Sequence, residues 1–236
     1  MPVDRRIERQ LRKLEKRVAQ QSRKPPLSVE RIVQTALDIV AAEGFEALTM
    51  RRVAATLDTG PASLYAHVVN KADLDELLIG YLCSRIVLPE PDPETWREQI
   101  FDLSAQIRDQ YLRYPGISQA ALGVVPSNPE ALRLSEGMLG ILLAGGVSPQ
   151  TAAWAIDALS LYVNAYCLEI GLWVRQMDTD GGWVVTHDTL MGRFEALSED
   201  DFPLTKRYAA ELTAGEGHDR FDFAMRTMIN GLGGHP

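Results

Sequence analysis

Between Thr49 and Val68 the chain has room for only two short helices set at an angle to each other. Asp58-Thr59-Gly60 supplies turn formers where a helix would need to continue. Pro61, with no N–H and a φ already near the helical value, suits the first position of a new helix. Upstream, Thr49 reads as the N-cap of a helix with Val53, Ala54 and Leu57 on one face. Two helices of about two turns each, joined by a three-residue turn containing glycine, describe a helix-turn-helix. Met50, Val53, Ala54, Leu57, Leu64 and Val68 suffice to pack the pair on the preceding helix. That helix is capped by Ser28, carries Ile32, Ala36, Ile39, Val40 and Ala41, and is stopped by Gly44. Arg51, Ser63, Tyr65, His67 and Lys71 are left without a core role.

The rest of the chain also reads as helix, because apolar residues recur at three and four positions between capping residues. The longest run of alternating β-branched character is Trp183–Thr186, so the fold class expected is all-α. A helix is expected from Ala72 to about Val87. After Pro89, Pro91 and Pro93, a capping box of Thr95 with Glu98 opens a helix to Tyr114. Ser127 or Asn128 with Pro129 begins another, closed by Gly145-Gly146; Ser148-Pro149 begins the longest, to about Gln176. Residues 177–205 are mixed and acidic, and a mobile loop with one short helix at its end is expected there. A last helix from about Asp219 to Leu232 carries Phe221, Ala224, Met225, Met228, Ile229 and Leu232 on one side.

Net charge is −8, but it divides unevenly. Up to Lys71 there are 13 Lys+Arg against 8 Asp+Glu; from Ala72 onward there are 11 against 24. Residues 1–24 alone hold 9 basic and 3 acidic residues, with Ile7, Leu11, Leu14 and Val18 in a narrow apolar stripe. Such asymmetry suggests a front part that meets a polyanion and a back part that does not. The expected division is a basic extension at 1–24, a helix-turn-helix domain at 25–75 and a larger helical domain at 76–236.

The run Leu64-Tyr65, His67-Val68, Lys71 and Leu74, preceded by Ala36, Gly44, Thr49, Arg51, Ala54 and Leu57, resembles the TetR family of bacterial transcriptional regulators, and most of all its tetracycline-repressor branch. Asp58-Thr59 departs from the Gly-Val turn usual in that family. The resemblance implies an N-terminal three-helix DNA-binding domain followed by a ligand-binding and dimerisation domain. It implies that Thr49 and Arg51 touch the DNA backbone or an outer base. Pro61, Ala62 and Ser63 would face the major groove, and Tyr65, His67 and Lys71 would hold phosphates. Pro61 and Ala62 donate nothing from their side chains, so base reading rests on contact with thymine methyls and on Ser63.

The long helix from Pro149 is apolar on more than one face, as expected of a helix packed against its own domain and against a partner. One stripe holds Ile156, Val163, Tyr166, Ile170 and Trp173; another holds Asp157, Ser160, Asn164 and Cys167. The resemblance implies a homodimer, whose two recognition helices would meet a pseudo-palindromic operator, and a repressor released by a small molecule. Trp96, Leu103, Ile107, Tyr111, Met138, Trp154 and Asn164 are the candidate lining of an apolar cavity with a few polar fixings. No histidine falls between Asn70 and Val185, so a metal-bound drug does not carry over, and an organic, partly aromatic effector bound without metal or cofactor is expected. An architectural DNA-binding protein that senses nothing is the alternative.

Other classes fit poorly. Asp, Glu, Ser and His show no nucleophile elbow or phosphate loop, so no enzyme is expected. Cys83, Cys167, His67, His187, His218 and His235 show no zinc-ligand spacing. Gly137–Ile156 carries no charge over 20 residues but is broken by Gly145-Gly146 and Ser148-Pro149, so no membrane span is read there. The basic N-terminus lacks the apolar region of a secretory signal, so a cytoplasmic protein is expected.

Overall fold

The computed structural model describes residues 26–123, 127–179 and 187–233, and every regular element among them is helical. Helix α1 spans Val29–Glu43, α2 Met50–Thr56, α3 Pro61–Tyr65 and α4 Lys71–Ser84. The expected caps are in place: Ser28 Oγ accepts from the Arg31 N–H at 3.3 Å and Thr49 Oγ1 from the Arg52 N–H at 3.0 Å. Gly44, at φ 82°, ends α1 in a conformation that a side chain would strain. Asp58 takes φ 49°, the left-handed region that aspartate tolerates better than most residues. Asp58-Thr59 therefore makes the turn in place of Gly-Val, and the Thr59 N–H closes it on Ala54 O at 3.0 Å. Helix α3 is shorter than the expected Pro61–Val69, since after Tyr65 the chain continues as a turn. Its Val68 N–H still reaches Leu64 O at 3.1 Å.

Helix α5 spans Trp96–Leu112, α6 Ser118–Gly123, α7 Pro129–Ala144, α8 Pro149–Thr179, α9 His187–Glu195, α10 Pro203–Arg207, α11 Ala209–Thr213 and α12 Asp219–Gly231. Two expectations are corrected. Thr95 does not cap α5; its hydroxyl donates instead to Asp92 Oδ2 at 2.9 Å, because Asp92 organises the preceding turn and competes for it. Where a loop with one short helix at its end was expected, the described residues of 177–205 include the tail of α8, all of α9 and the start of α10; residues 180–186 lie outside the described residues. The basic stripe Ile7–Val18 and the run Trp183–Thr186 lie outside the described residues.

One buried cluster runs from Ile32 and Leu37 on α1, through Leu74, Leu78 and Leu82 on α4, to Ile100 and Leu103 on α5 and Ile141 and Leu142 on α7. It continues into Leu159 and Val163 on α8 and Phe221 and Met225 on α12. Each such side chain contributes about 1.5–3 kcal/mol by leaving water. Helix α4 is buried against both parts, so a shift on one side is felt on the other. Arg133 on α7 ties its end, donating to the carbonyls of Cys83 at 2.9 Å and Ile86 at 3.2 Å. By length and composition Pro149–Val174 would also suit a bilayer, but here it packs against α5, α6 and α7.

Candidate DNA-binding surface and ligand cavity

Helices α2 and α3 turn Leu64, Val68, Val53 and Ala54 into the core, which leaves Arg51, Pro61, Ala62, Ser63, Tyr65 and His67 on the outside. Tyr65 is 51% exposed although it is a large aromatic. All six are exposed to solvent. Thr49 is exposed too, with its oxygen accepting from the Arg52 N–H while its hydrogen remains available to donate.

Lys71 departs from the expectation that it has no internal role. Its ammonium pairs with Asp75 and stands 4.1 Å from the centre of the Phe45 ring. Burial pushes the Asp75 carboxyl above its ordinary range even with Lys71 beside it. Arg52 is likewise bound, to Glu43, which its guanidinium holds below the usual carboxylate range. Residues 25–71 contain 4 Lys+Arg against 5 Asp+Glu, so the front part owes its excess of positive charge to residues 1–24.

Behind α4 lies a cavity of about 120 Å³. Ile107 and Tyr111 reach it from α5, Met138 from α7 and Asn164 from α8, as expected. Three other candidates do not. Trp154 is 69% exposed, because it precedes Ile156 by two residues and so sits about 200° round the helix from it. Trp96 is buried against Gly145, where a Cβ would fall 2.3 Å from the ring, and Leu103 is fully enclosed in the core. Residues that sequence reading did not single out complete the wall: Glu76, Ile79 and Cys83 on α4, Ala121 on α6, Ser127 and Asn128 before α7, Ala131, Leu134 and Ser135 on α7, and Ile156, Ser160 and Val163 on α8. The only signal for the α4 residues is their spacing, 76, 79 and 83, which is one helical face.

The polar groups of the wall differ in state. Ser127 donates to Glu76, and Asn128 Oδ1 accepts from the Glu130 N–H at 2.9 Å as the cap of α7. Tyr111 and Asn164 are only 7% and 9% exposed, and neither side chain finds a hydrogen-bond partner among the described residues. Burial holds the Tyr111 phenol protonated far above its ordinary range, so it faces the cavity as a neutral donor. Burial also pushes the Cys83 thiol up to about 11, which makes it an inert apolar wall group. No group of three or more potential metal ligands occurs among the described residues.

Residues 32–76 match the model described as bacterial regulatory proteins, tetR family, and residues 88–234 match the tetracyclin repressor-like C-terminal domain. The chain belongs to the TetR family. This TetR-family regulator is 28% identical to an HTH-type transcriptional regulator of Saccharopolyspora erythraea, over 92% of this chain and 89% of that one. It is 27% identical to the HTH-type transcriptional repressor DrrR1 of Streptomyces coeruleorubidus, over 89% and 78%. Apo ActR of Streptomyces coelicolor superposes with a TM-score of 0.79 at 34% identity, over 89% of this chain and 96% of that one. ActR has also been seen in complex with actinorhodin, and that structure superposes with a TM-score of 0.78 at the same identity, over 89% and 100%. The TetR-family chain is therefore an all-helical transcriptional regulator with a helix-turn-helix DNA-binding domain, and not an enzyme.

Proposed function

We propose that this chain is a cytoplasmic repressor that binds a pseudo-palindromic operator as a homodimer and leaves it when a small, apolar, partly aromatic molecule fills the cavity. The observation that carries the reading is the pair of buried, unpartnered polar side chains, Tyr111 and Asn164, in a cavity walled in part by α4. Their polar atoms are not enclosed by protein and stay open to the cavity, where a ligand atom would hydrogen-bond to them. Helix α4 begins at Lys71, directly after the turn that follows α3, so its position sets that of the recognition surface. Residues 25–75 act as the DNA-binding unit in this reading and residues 76–236 as the sensing and dimerising unit.

Tyr65, His67 and Lys71 are assigned to the DNA backbone, Thr49 and Arg51 to the backbone or an outer base, and Pro61, Ala62 and Ser63 to base edges. Dimerisation is assigned to the outer face of α8, where Trp154, Leu161, Leu172 and Trp173 are exposed although apolar, and to Phe223 on α12. Ligand-bound ActR and the repressor DrrR1 support a sensing repressor by similarity.

The test is to select duplexes from a random pool, measure the mass of the complex by sedimentation, and titrate candidate aromatic molecules against the bound complex. Two chains per selected duplex and release by a molecule whose effect vanishes in Asn164→Ala are the expected results. One chain per duplex, or no release by any cavity-binding molecule, would reject the reading.

A further inference from the structure

The cavity wall has a charge asymmetry that an apolar pocket does not need. Glu76 is its one acid, and no lysine, arginine or histidine lines it among the described residues. Arg133, which could have balanced Glu76, is turned to Glu130 Oε2 at 2.9 Å and to the two carbonyls that end α4. Glu76 itself is half-buried and accepts from the Ser127 hydroxyl. A carboxylate has about four acceptor positions, so one hydroxyl leaves most of its capacity unused. Tyr111 and Asn164, each more than nine-tenths buried, supply neutral polar groups that also lack partners among the described residues. The cavity thus holds two kinds of fixing point, a neutral pair and a single anion, set in a largely apolar wall.

We infer that the effector carries a protonated amine, seated against Glu76, on an apolar body whose own polar atom meets Tyr111 and Asn164, and that molecules of the same shape bearing a carboxylate are rejected. The inference rests on the proposed reading of this cavity as the effector site. An ammonium meeting Glu76 forms a charge-assisted hydrogen bond in surroundings of lower dielectric than water, where such bonds gain strength. A carboxylate in the same place would lose its hydration, find no cation and stand beside a like charge.

Three probes of one shape separate the terms: 1-(aminomethyl)naphthalene, 1-naphthalenemethanol and 1-naphthoic acid, titrated calorimetrically against the full chain at neutral pH. The amine is expected to bind at least about tenfold more tightly than the acid, with the alcohol between them. Glu76→Gln should bring the three, which differ only in the group that meets Glu76, to within about threefold of one another. Acid binding as tight as the amine's, or an amine preference that survives Glu76→Gln, overturns the ligand class and leaves the effector cavity standing. Met138→Trp and, at a less buried lining position, Ser160→Phe fill the cavity; at least one should melt cooperatively and bind no probe. Probe binding that persists in a folded blocked variant, or no binding of any probe to the unaltered chain, overturns the effector-cavity reading and the inference with it.

Discussion

The backbone N–H of Phe45 donates to the carbonyl of Pro115 at 2.9 Å, which fastens the helix-turn-helix to the corner between α5 and α6. The same corner is pressed from behind by α8: a Cβ on Gly171 would lie 2.9 Å from the backbone nitrogen of Gly116. Gly116 itself has φ 83° and abuts Phe45, where a Cβ would meet the phenylalanine Cβ at 3.2 Å. Phe45 in turn holds its ring beneath the Lys71 ammonium. Helix α8, which also walls the cavity, is therefore in contact with the DNA-binding unit through two glycines and one aromatic residue.

Gly171→Ala is expected to destabilise the protein by about 1–3 kcal/mol, since the methyl group meets backbone that cannot swing aside. Gly192→Ala, where nothing lies within 4 Å, should be neutral or stabilising by a few tenths of a kcal/mol. Urea melts of both variants check this, and equal midpoints would show that the corner yields.

On the recognition surface, Tyr65→Ala and Arg51→Ala should weaken every duplex by a similar factor without changing stability, because both side chains are exposed. Ser63→Ala should instead alter the order of preference among duplexes. Lys71→Ala should do two things, lower affinity and lower stability by about 1 kcal/mol, because it leaves Asp75 without its cation. Anisotropy titrations beside thermal melts separate the two effects; a Lys71→Ala protein as stable as the parent would deny the internal role of that pair.

Deleting residues 1–24 removes nine basic residues, and the remaining helix-turn-helix segment has no positive excess of its own. Each phosphate neutralised adds about 0.9 to the slope of log affinity against log salt. The truncated chain is expected to bind all duplexes more weakly, with a slope smaller by several units per dimer and an unchanged order of preference. An identical slope with and without the segment would assign it some role other than phosphate binding.

Burial pushes the thiols of Cys83 and Cys167 up to about 11 and about 12. Both folded values lie above the ordinary thiol value of 9, so folding favours the protonated form. The stabilisation is complete below about pH 9 and is lost as pH rises through 11 to 12. Iodoacetamide at pH 8 should accordingly leave the folded chain unmodified and label both cysteines after unfolding. In Cys83→Ala with Cys167→Ala, the alkaline fall in stability should be shallower over that window.

The caps at Ser28 and Thr49, the turn at Asp58, the start at Pro61 and the all-helical class were readable from the chain alone, because each depends on residues within a few positions of one another. Even the substitution of Asp58-Thr59 for Gly-Val needed only the local tolerance of aspartate for a left-handed backbone. The cavity was readable only in part. Helix α8 is apolar around much of its circumference, so periodicity could not tell the face carrying Ile156, Val163 and Asn164 from the one carrying Trp154. Nothing local marked Glu76, and Lys71 read as a phosphate-binding residue with no core role. One became a wall group and the other a partner of Phe45 and Asp75 when helices distant in sequence closed around them. A helix with one apolar stripe has its inward face set by its own sequence, but for one apolar on several sides the face turned inward, and the neighbour that meets it, are decided by the packing of all the others.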